Sequence, residues 1–175
     1  MSKIFLTSDT HFSHSNIIKY CNRPFISAEE MSEELVRRWN RVVGKDDVVY
    51  HLGDFMMGNK ENIRNMVARL NGRIKLVMGN HDRYKPAHYR ELGFAEVYDR
   101  PIVVGNFWIL SHAPIEGMVG KDIPFVNIYG HVHDDSRFMT LAPSGICVCV
   151  ERWNYTPVDF QELQETYTNL FMTEG

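Results

Sequence analysis

The sequence has little cysteine, no long apolar run and no excess of basic charge. The three cysteines, Cys21, Cys147 and Cys149, have no framework spacing and fit a reducing compartment. We expect Cys147 and Cys149 to be buried, inert thiols. The N-terminal residues lack the features of a secretory signal, and no apolar stretch is long enough to span a bilayer. We therefore predict a cytoplasmic protein without a membrane partner.

The formal net charge is −3, so the chain lacks the overall basic footprint of non-specific nucleic-acid binders. A local basic patch could still exist, which leaves nucleic acid as an allowed but not favoured partner. Internal repeats and low-complexity segments are also absent. A length of 175 residues suits one domain with a sizeable core, and we predict a single domain over residues 1–175. The oligomeric state is left open.

The first half of the chain alternates between short apolar strands and amphipathic helices. Ser27 and Glu30 form a capping box before a helix over about 28–43, and Asn59 caps a second helix. The strands are predicted at 4–6, 48–50 and 74–78. This alternation predicts a largely parallel sheet with right-handed crossovers.

The second half has mainly short strands separated by turns, and one closing helix that is predicted to start at Thr156-Pro157, with Val158 and Leu170 on its apolar side. The segment that follows the first strand, through Phe25, is predicted as a loop. Two packed sheets with helices outside them would accommodate both halves. The later strands are predicted around 94–99, 101–104, 107–111, 125–129 and 145–151.

Polar side chains follow five successive apolar runs, where an open α/β sheet forms its crevice. They are Asp9-Thr-His11, Gly53-Asp54, Gly79-Asn-His-Asp82, Ser111-His112 and Gly130-His-Val-His133. Imidazole, carboxylate and amide groups without thiolate suit Mn²⁺, Fe or Zn²⁺ in a reactive site. A tetrahedral catalytic ion takes three protein ligands, whereas these motifs offer seven potential ligands. Seven suit two ions about 3.5–4 Å apart. Taken alone, the last two histidines could equally bind one ion or be solvated.

In this order, the five motifs resemble the signature blocks of the calcineurin-like metallophosphoesterase superfamily, in particular its small, cap-less bacterial and phage phosphoesterases. The resemblance implies an α/β fold, a four-layer αββα sandwich with two mixed sheets. It also implies two divalent ions, with Mn²⁺ favoured and Fe, Ni²⁺ or Zn²⁺ as alternatives. By this resemblance, one ion is held by Asp9, His11, Asp54 and His133, and the other by Asp54, Asn80, His112 and His131.

The resemblance implies hydrolysis of a small phosphodiester by a hydroxide that bridges the two ions beside Asp54. We assign His81 as the acid for the leaving group, with Asp82 or another acid as the group that orients it. A metal-dependent nuclease or a phosphomonoesterase using the same centre is the alternative. A non-enzymatic metal-binding protein would be expected to have lost a ligand, and none is missing.

Two departures from the superfamily pattern affect this prediction. Many members have a second Asp after Gly-Asp, in GDxxD, which supports the non-ligand histidine. Here Met57 occupies that place, so the partner of His81 is open. The chain also lacks the GDxxDRG and RGNHE forms of protein Ser/Thr phosphatases, which argues against a phosphoprotein substrate.

Four residues near the motifs are predicted substrate contacts. His14 and Asn16 follow the first motif closely, whereas Arg23 and Arg83 could pair with phosphate oxygens through their guanidinium groups. His51 precedes Asp54 and is either a core histidine or a hydrogen-bond partner of the centre, with the second role slightly favoured.

Overall fold

Two five-stranded sheets face each other in the computed structural model, which describes residues 2–115, 125–143 and 145–172. The strands are β1 (Ile4–Thr7), β2 (Val48–His51), β3 (Arg73–Val77), β4 (Glu96–Tyr98), β5 (Ile102–Val104), β6 (Trp108–Ser111), β7 (Val126–Tyr129), β8 (Leu141–Ala142), β9 (Gly145–Cys147) and β10 (Val158–Asp159). The α-helices are α1 (Ser15–Tyr20), α2 (Ala28–Val42), α3 (Lys60–Arg69), α4 (Pro86–Glu91) and α5 (Phe160–Phe171).

Both sheets are mixed, with a parallel centre. The first has the order β10-β1-β2-β3-β4, in which β1 to β4 are parallel and β10 pairs antiparallel with β1. The second has the order β5-β6-β7-β9-β8, with antiparallel strands at its two edges. The predicted α/β fold with two mixed sheets is confirmed. Because the central strands are parallel, their carboxyl ends lie at one edge of each sheet.

Alternation along the strands of the first sheet creates two separate cores. Phe5 and Val49 lie on the outer face, in one cluster with the apolar sides of α2, α3 and α4. Leu6 and Tyr50 point the other way and pack against strands of the second sheet. Apolar residues of α5, such as Leu163, also join this inner cluster.

The predicted helix caps in the first half are present, except that Glu30 accepts its return hydrogen bond from Ile26 rather than from the cap residue Ser27. The Ser27 hydroxyl accepts a hydrogen bond from the Glu30 N–H at 3.1 Å, and the Glu30 carboxylate accepts one from the Ile26 N–H at 2.7 Å. Asn59 caps α3 by accepting from the Asn62 N–H at 2.9 Å. Among the described residues, no helix has both the length and the apolar character needed to cross a membrane.

The prediction that the closing helix starts at Thr156-Pro157 is wrong. Val158 pairs with Leu6 as part of an edge strand, and the helix begins at Phe160. Asp159 caps it by accepting from the Gln161 N–H at 2.9 Å. The free edge of β1 therefore determines the conformation of residues that could also begin a helix. Leu170, predicted on the apolar side of this helix, is 58% exposed.

Two further elements differ from the prediction. The segment predicted as a loop after the first strand contains α1, which buries only Ile17 and so has no apolar periodicity to reveal it. The predicted strand at 145–151 is shorter, because β9 ends at Cys147 and a 3₁₀ turn follows over Val150–Trp153.

The outer core predicts a clear difference between two apolar substitutions near α2. Leu35 is 2% exposed in this core, so Leu35→Ala should lower the free energy of unfolding by about 2–5 kcal/mol. Ile26 is 94% exposed, and Ile26→Ala should change it by less than about 0.5 kcal/mol. Urea unfolding of both variants measures this. Similar losses in the two would contradict the described packing.

Candidate metal centre

The predicted ligands come together where the strand ends of the two sheets meet. Ser8 forms a parallel bridge with Cys149, which joins the first sheet to the second. The Asp9 N–H donates to the Gly53 carbonyl at 3.0 Å, and the Gly130 N–H donates to the His112 carbonyl at 2.8 Å. Backbone hydrogen bonds therefore hold neighbouring ligand loops together within each sheet.

Five of the predicted ligands adopt a left-handed backbone conformation. For a residue other than glycine, such a conformation costs about 1–3 kcal/mol and is found mainly where function requires it. It turns the chain sharply out of each strand, so that successive side chains face the centre. The residues and their φ angles are Asp9 (56°), His11 (47°), Asp54 (56°), His131 (70°) and His133 (49°).

Two glycines let the backbone pass directly against ligand carboxylates. A Cβ atom at Gly130 would collide with Oδ2 of Asp9, and one at Gly79 would collide with Oδ1 of Asp54. Close approach allows the His131 N–H to donate to Asp9 Oδ2 at 2.8 Å and the His81 N–H to donate to Asp54 Oδ1 at 2.8 Å. The other carboxylate oxygens, Asp9 Oδ1 and Asp54 Oδ2, accept neither of these hydrogen bonds and lie near the imidazoles of the centre.

The first set of donor atoms surrounds Asp9 Oδ1. The His133 Nε2 atom lies 3.7 Å from it and His11 Nε2 lies 3.9 Å from it. His11 Nε2 is also 3.5 Å from Asp54 Oδ2. Donors that share one ion at about 2.1 Å lie roughly 3.0–3.5 Å apart, so small adjustments would let these atoms bind one ion.

The second set of donor atoms surrounds His112 Nε2. Asp54 Oδ2 lies 3.6 Å from this nitrogen, Asn80 Oδ1 lies 2.9 Å from it and His131 Nδ1 lies 3.2 Å from it. Asp54 Oδ2 is therefore near both sets. His131 and His133 fall in different sets.

The hydrogen-bond pattern shows that these donor atoms fit divalent cations. Asp9 Oδ1 and His11 Nε2 are buried and have no hydrogen-bond partner among the described residues. The His112 Nδ1 atom lies 2.8 Å from the Leu52 carbonyl, which can only accept, so the ring proton is on Nδ1. In the neutral ring, Nε2 then turns a lone pair toward the Asn80 oxygen, another acceptor. A cation satisfies such facing acceptors, and imidazole with oxygen ligands suits transition metals.

Burial and charge shift the pKa values of the groups around the centre. Burial raises the pKa of the Asp9 carboxyl and lowers the pKa of His11. Burial also acts against the charged form of His133. Hydrogen bonds with Cys21 and Glu151, and the charge of Asp9, outweigh it and raise the pKa of His133 to about 11.

Comparison with known proteins identifies the family. A model of the calcineurin-like phosphoesterase family matches residues 2–161. The chain belongs to the calcineurin-like phosphoesterase family. Members are hydrolases that act on phosphoesters with divalent metal ions, and the donor sets described above agree with that requirement.

Relatives of this phosphoesterase occur in archaea, bacteria and phages. An uncharacterised protein of Methanocaldococcus jannaschii is 38% identical over 164 residues, which cover 90% of this chain and 87% of the relative. The Gene 66 protein of Mycobacterium phage L5 is 31% identical over 113 residues, 63% of this chain and 50% of the phage protein.

Solved structures share the fold. A protein of unknown function from Aquifex aeolicus superimposes with a TM-score of 0.71 at 26% identity, covering 95% of this chain and all of the other. A nuclease from Pseudomonas putida has a TM-score of 0.51 at 23% identity, covering 74% of this chain and 61% of the nuclease, which shows likeness of fold alone.

Glu151 and Arg23 support the first donor set of the phosphoesterase. Glu151 Oε1 lies 2.9 Å from His133 Nδ1 and 2.6 Å from Arg23 Nη2. Arg23 also donates to the backbone carbonyls of Asp9 at 2.7 Å and Thr10 at 3.0 Å. The prediction that Arg23 contacts phosphate is therefore wrong, because its guanidinium is buried and its donors are used within the protein. Glu151 was missed, although it ends an apolar run as the predicted ligands do.

Cys149 is buried, as predicted, but it contacts the centre. Its thiol donates to Asp9 Oδ2 at 3.4 Å and accepts from the His133 N–H at 3.2 Å. Burial raises the pKa of this thiol. Cys149 therefore helps to position two predicted ligands while remaining a thiol. Cys147 is also buried and free.

His51 is a core histidine that holds the loop of the first motif. Its Nε2 lies 2.9 Å from the Thr10 hydroxyl, which donates its proton to the Phe55 carbonyl at 2.8 Å, so Nε2 of His51 is the donor. The ring stacks on Trp39, and burial lowers its pKa to about 3. His51 is therefore the core histidine of the two alternatives, and its hydrogen bond reaches Thr10, between Asp9 and His11, rather than a predicted ligand.

Asp82 does not orient His81, which corrects the sequence prediction. Its carboxylate accepts from the backbone N–H groups of Gly79 at 2.8 Å, Asp54 at 2.8 Å and Phe55 at 3.2 Å. Burial raises the pKa of this carboxyl to about 6, despite these three hydrogen bonds. Asp82 therefore connects two ligand loops.

Of the remaining predicted residues, the structure brings His81 and His14 next to His11. The His81 ring lies 5.4 Å from the His11 ring, and no carboxylate in the described part of the chain forms an ion pair with it. His14 Nδ1 lies 3.3 Å from His11 Nδ1, which makes His14 a direct neighbour of a ligand. Asn16 is exposed on α1, and Arg83 is exposed beyond His81.

The Glu151 contact predicts an effect on metal affinity. Glu151→Gln keeps the shape of the side chain but removes the charge that supports His133, so the affinity for Mn²⁺ should fall about 10–100-fold. Isothermal titration of metal-free protein measures this. Glu34 also pairs with two arginines, but on the surface of α2, and Glu34→Gln should leave the affinity unchanged. Equal affinities in the two variants would contradict the role of Glu151.

Proposed function

We propose that this phosphoesterase is a two-metal-ion phosphodiesterase that hydrolyses a small phosphodiester. The observation that carries the proposal is the position of Asp54 Oδ2, 3.5 Å from His11 Nε2 and 3.6 Å from His112 Nε2. One carboxylate oxygen between two imidazole nitrogens is suited to bridging two ions.

The chemistry of the ligands supports two ions and narrows their identity. The first would be held by Asp9, His11, Asp54 and His133, and the second by Asp54, Asn80, His112 and His131. Mixed nitrogen and oxygen ligands favour Mn²⁺, with Fe, Ni²⁺ or Zn²⁺ as alternatives. When bound, such ions would polarise the phosphoryl oxygens and activate the attacking water.

His81 is the residue that we assign to proton transfer to the leaving group. Its backbone N–H is held by Asp54 Oδ1, which places the half-buried ring beside the centre, 5.4 Å from the His11 ring. An imidazole at that position can donate a proton to the departing oxygen. Asp54 thus both binds metal and anchors His81.

His14 and Arg83 are the residues that we assign to the phosphate. His14 is half-buried next to His11, with its ring 6.3 Å from that of His81. Arg83 is exposed and shares a cavity wall with His81, and its guanidinium would pair with phosphate oxygens. Asn16 is exposed on α1, two residues beyond His14, and would contact a larger substrate group.

Metal analysis of two variants tests the separate roles of the last two histidines. His133→Ala should remove one ion and His131→Ala the other, so each variant should bind about one ion at a manganese concentration where the unaltered protein binds two. Elemental analysis after equilibrium dialysis measures the stoichiometry. His88→Ala, on α4 and outside the centre, should retain both ions. Two bound ions in all three variants would refute the assignment.

A substrate panel tests the proposed activity. With Mn²⁺, bis(p-nitrophenyl) phosphate should have a higher kcat/KM than p-nitrophenyl phosphate or a single-stranded oligonucleotide. Asp54→Asn should lower kcat by at least about 10²–10³-fold while circular dichroism remains unchanged. Preference for the monoester would instead identify a phosphomonoesterase, and preference for the oligonucleotide a nuclease. Unchanged rates in Asp54→Asn would reveal a contaminating activity.

A further inference from the structure

A small cavity lies against His81, next to the candidate metal centre. Its volume is about 210 Å³, and its wall includes Met56, Met57, Tyr84 and Tyr89 in addition to His81 and Arg83. Pockets for drug-sized ligands have about 300–1,000 Å³, so this cavity can hold a group of about one ring. The ligands of the centre do not line it, and the chemistry assigned above leaves it without a role.

The wall of the cavity suits a flat aromatic group. Methionine sulfur makes favourable contacts with aromatic rings, and tyrosine rings pack against them edge to face or offset. Tyr84 and Tyr89 already make such an edge contact, with their ring centres 6.0 Å apart. Among the residues that the structure describes, no carboxylate lines the cavity, whereas Arg83 does.

Positive charge near the cavity strengthens this preference. The Lys60 ammonium lies 5.5 Å from the centre of the Tyr84 ring, and Arg83 is exposed at the wall. Such cations favour an electron-rich ring and an anionic phosphate attached to it. The aliphatic parts of both side chains can also cover apolar surface.

Met57 adds to the apolar character of the wall, beside Met56 and Ile63. In many members of the superfamily, an Asp at this place supports the histidine that corresponds to His81. A carboxylate there would introduce a negative charge beside His81. In this chain, the Met57 thioether instead provides an apolar surface in the wall that it shares with His81.

From the shared wall at His81, we infer that this cavity binds a planar aromatic group carried by the phosphate on its leaving-group side. His81 belongs to both the cavity and the entrance of the centre, where its ring lies 5.4 Å from that of His11. The inference rests on the proposed function, because it requires a phosphoryl group at the centre. A simple aryl ester and a nucleobase are two sources of such a ring.

Binding of unreactive phosphonates tests the pocket without a chemical step. Phenylphosphonate and methylphosphonate share the same head group, and only the first has a ring for the cavity. By calorimetry with manganese-loaded protein, phenylphosphonate should bind about tenfold more tightly, as expected for burying one aromatic ring in part. Thymidine 5′-monophosphate is included, and tighter binding than phenylphosphonate would assign the pocket to a nucleobase.

Substitutions in the wall should remove this preference. Met57→Trp would fill the cavity, and Tyr84→Ala would remove an aromatic contact, so both should bring the affinity ratio close to one. Met139, which is 66% exposed, provides the matched control, and Met139→Trp should keep the tenfold ratio. Circular dichroism identifies any variant that fails to fold. If one wall variant fails to fold, the affinity ratio of the other wall variant tests the pocket.

Failure of the pocket can be distinguished from failure of the proposed function. If both phosphonates bind with equal affinity, the centre takes a phosphoryl group but the aromatic pocket is refuted. A tenfold ratio that persists in both folded wall variants also refutes the pocket. If neither phosphonate binds to the manganese-loaded protein, the proposed function itself is contradicted.

Discussion

The carboxylate of Asp54 is the group on which the rest of the centre depends. One of its oxygens is held by the His81 N–H at 2.8 Å, and its backbone N–H is held by Asp82 at 2.8 Å. The other oxygen faces His11 and His112 from distances of 3.5 and 3.6 Å. Its left-handed backbone, with a φ of 56°, is a local cost that the surrounding hydrogen bonds offset. The two sheets thus position one oxygen between two sets of donors.

Residues behind the ligands extend this arrangement into the core. Arg23 holds the backbone of the first motif and pairs with Glu151, which in turn fixes the Nδ1 side of His133. Cys149 contacts Asp9, and Asp82 connects the second and third ligand loops. Partners of this kind keep ligand rings and carboxylates in position before an ion binds. A substitution in this layer would therefore act on the centre without touching substrate.

Sequence reasoning could predict the parts that repeat or that follow apolar runs. The strands β1 to β3, the capped helices α2 and α3, and seven side chains that the structure brings together all come directly from such patterns. It could not predict contacts between distant segments. The roles of Arg23 and Asp82 were predicted from residue type, and the structure corrects both. Each side chain forms its hydrogen bonds with buried backbone groups instead, Arg23 with a carbonyl and Asp82 with an N–H. The start of α5 was wrong because pairing with β1, a tertiary contact, outweighed a local signal.

The most direct measurement of the central claim is electron paramagnetic resonance of the protein loaded with two equivalents of Mn²⁺. Two Mn²⁺ ions about 3.5–4 Å apart, if bridged by Asp54 as proposed, would be magnetically coupled. We expect the multiline spectrum of a coupled pair, which should change to the six-line spectrum of isolated ions in Asp54→Asn. An isolated six-line spectrum from the unaltered protein at full loading would contradict a shared, carboxylate-bridged centre.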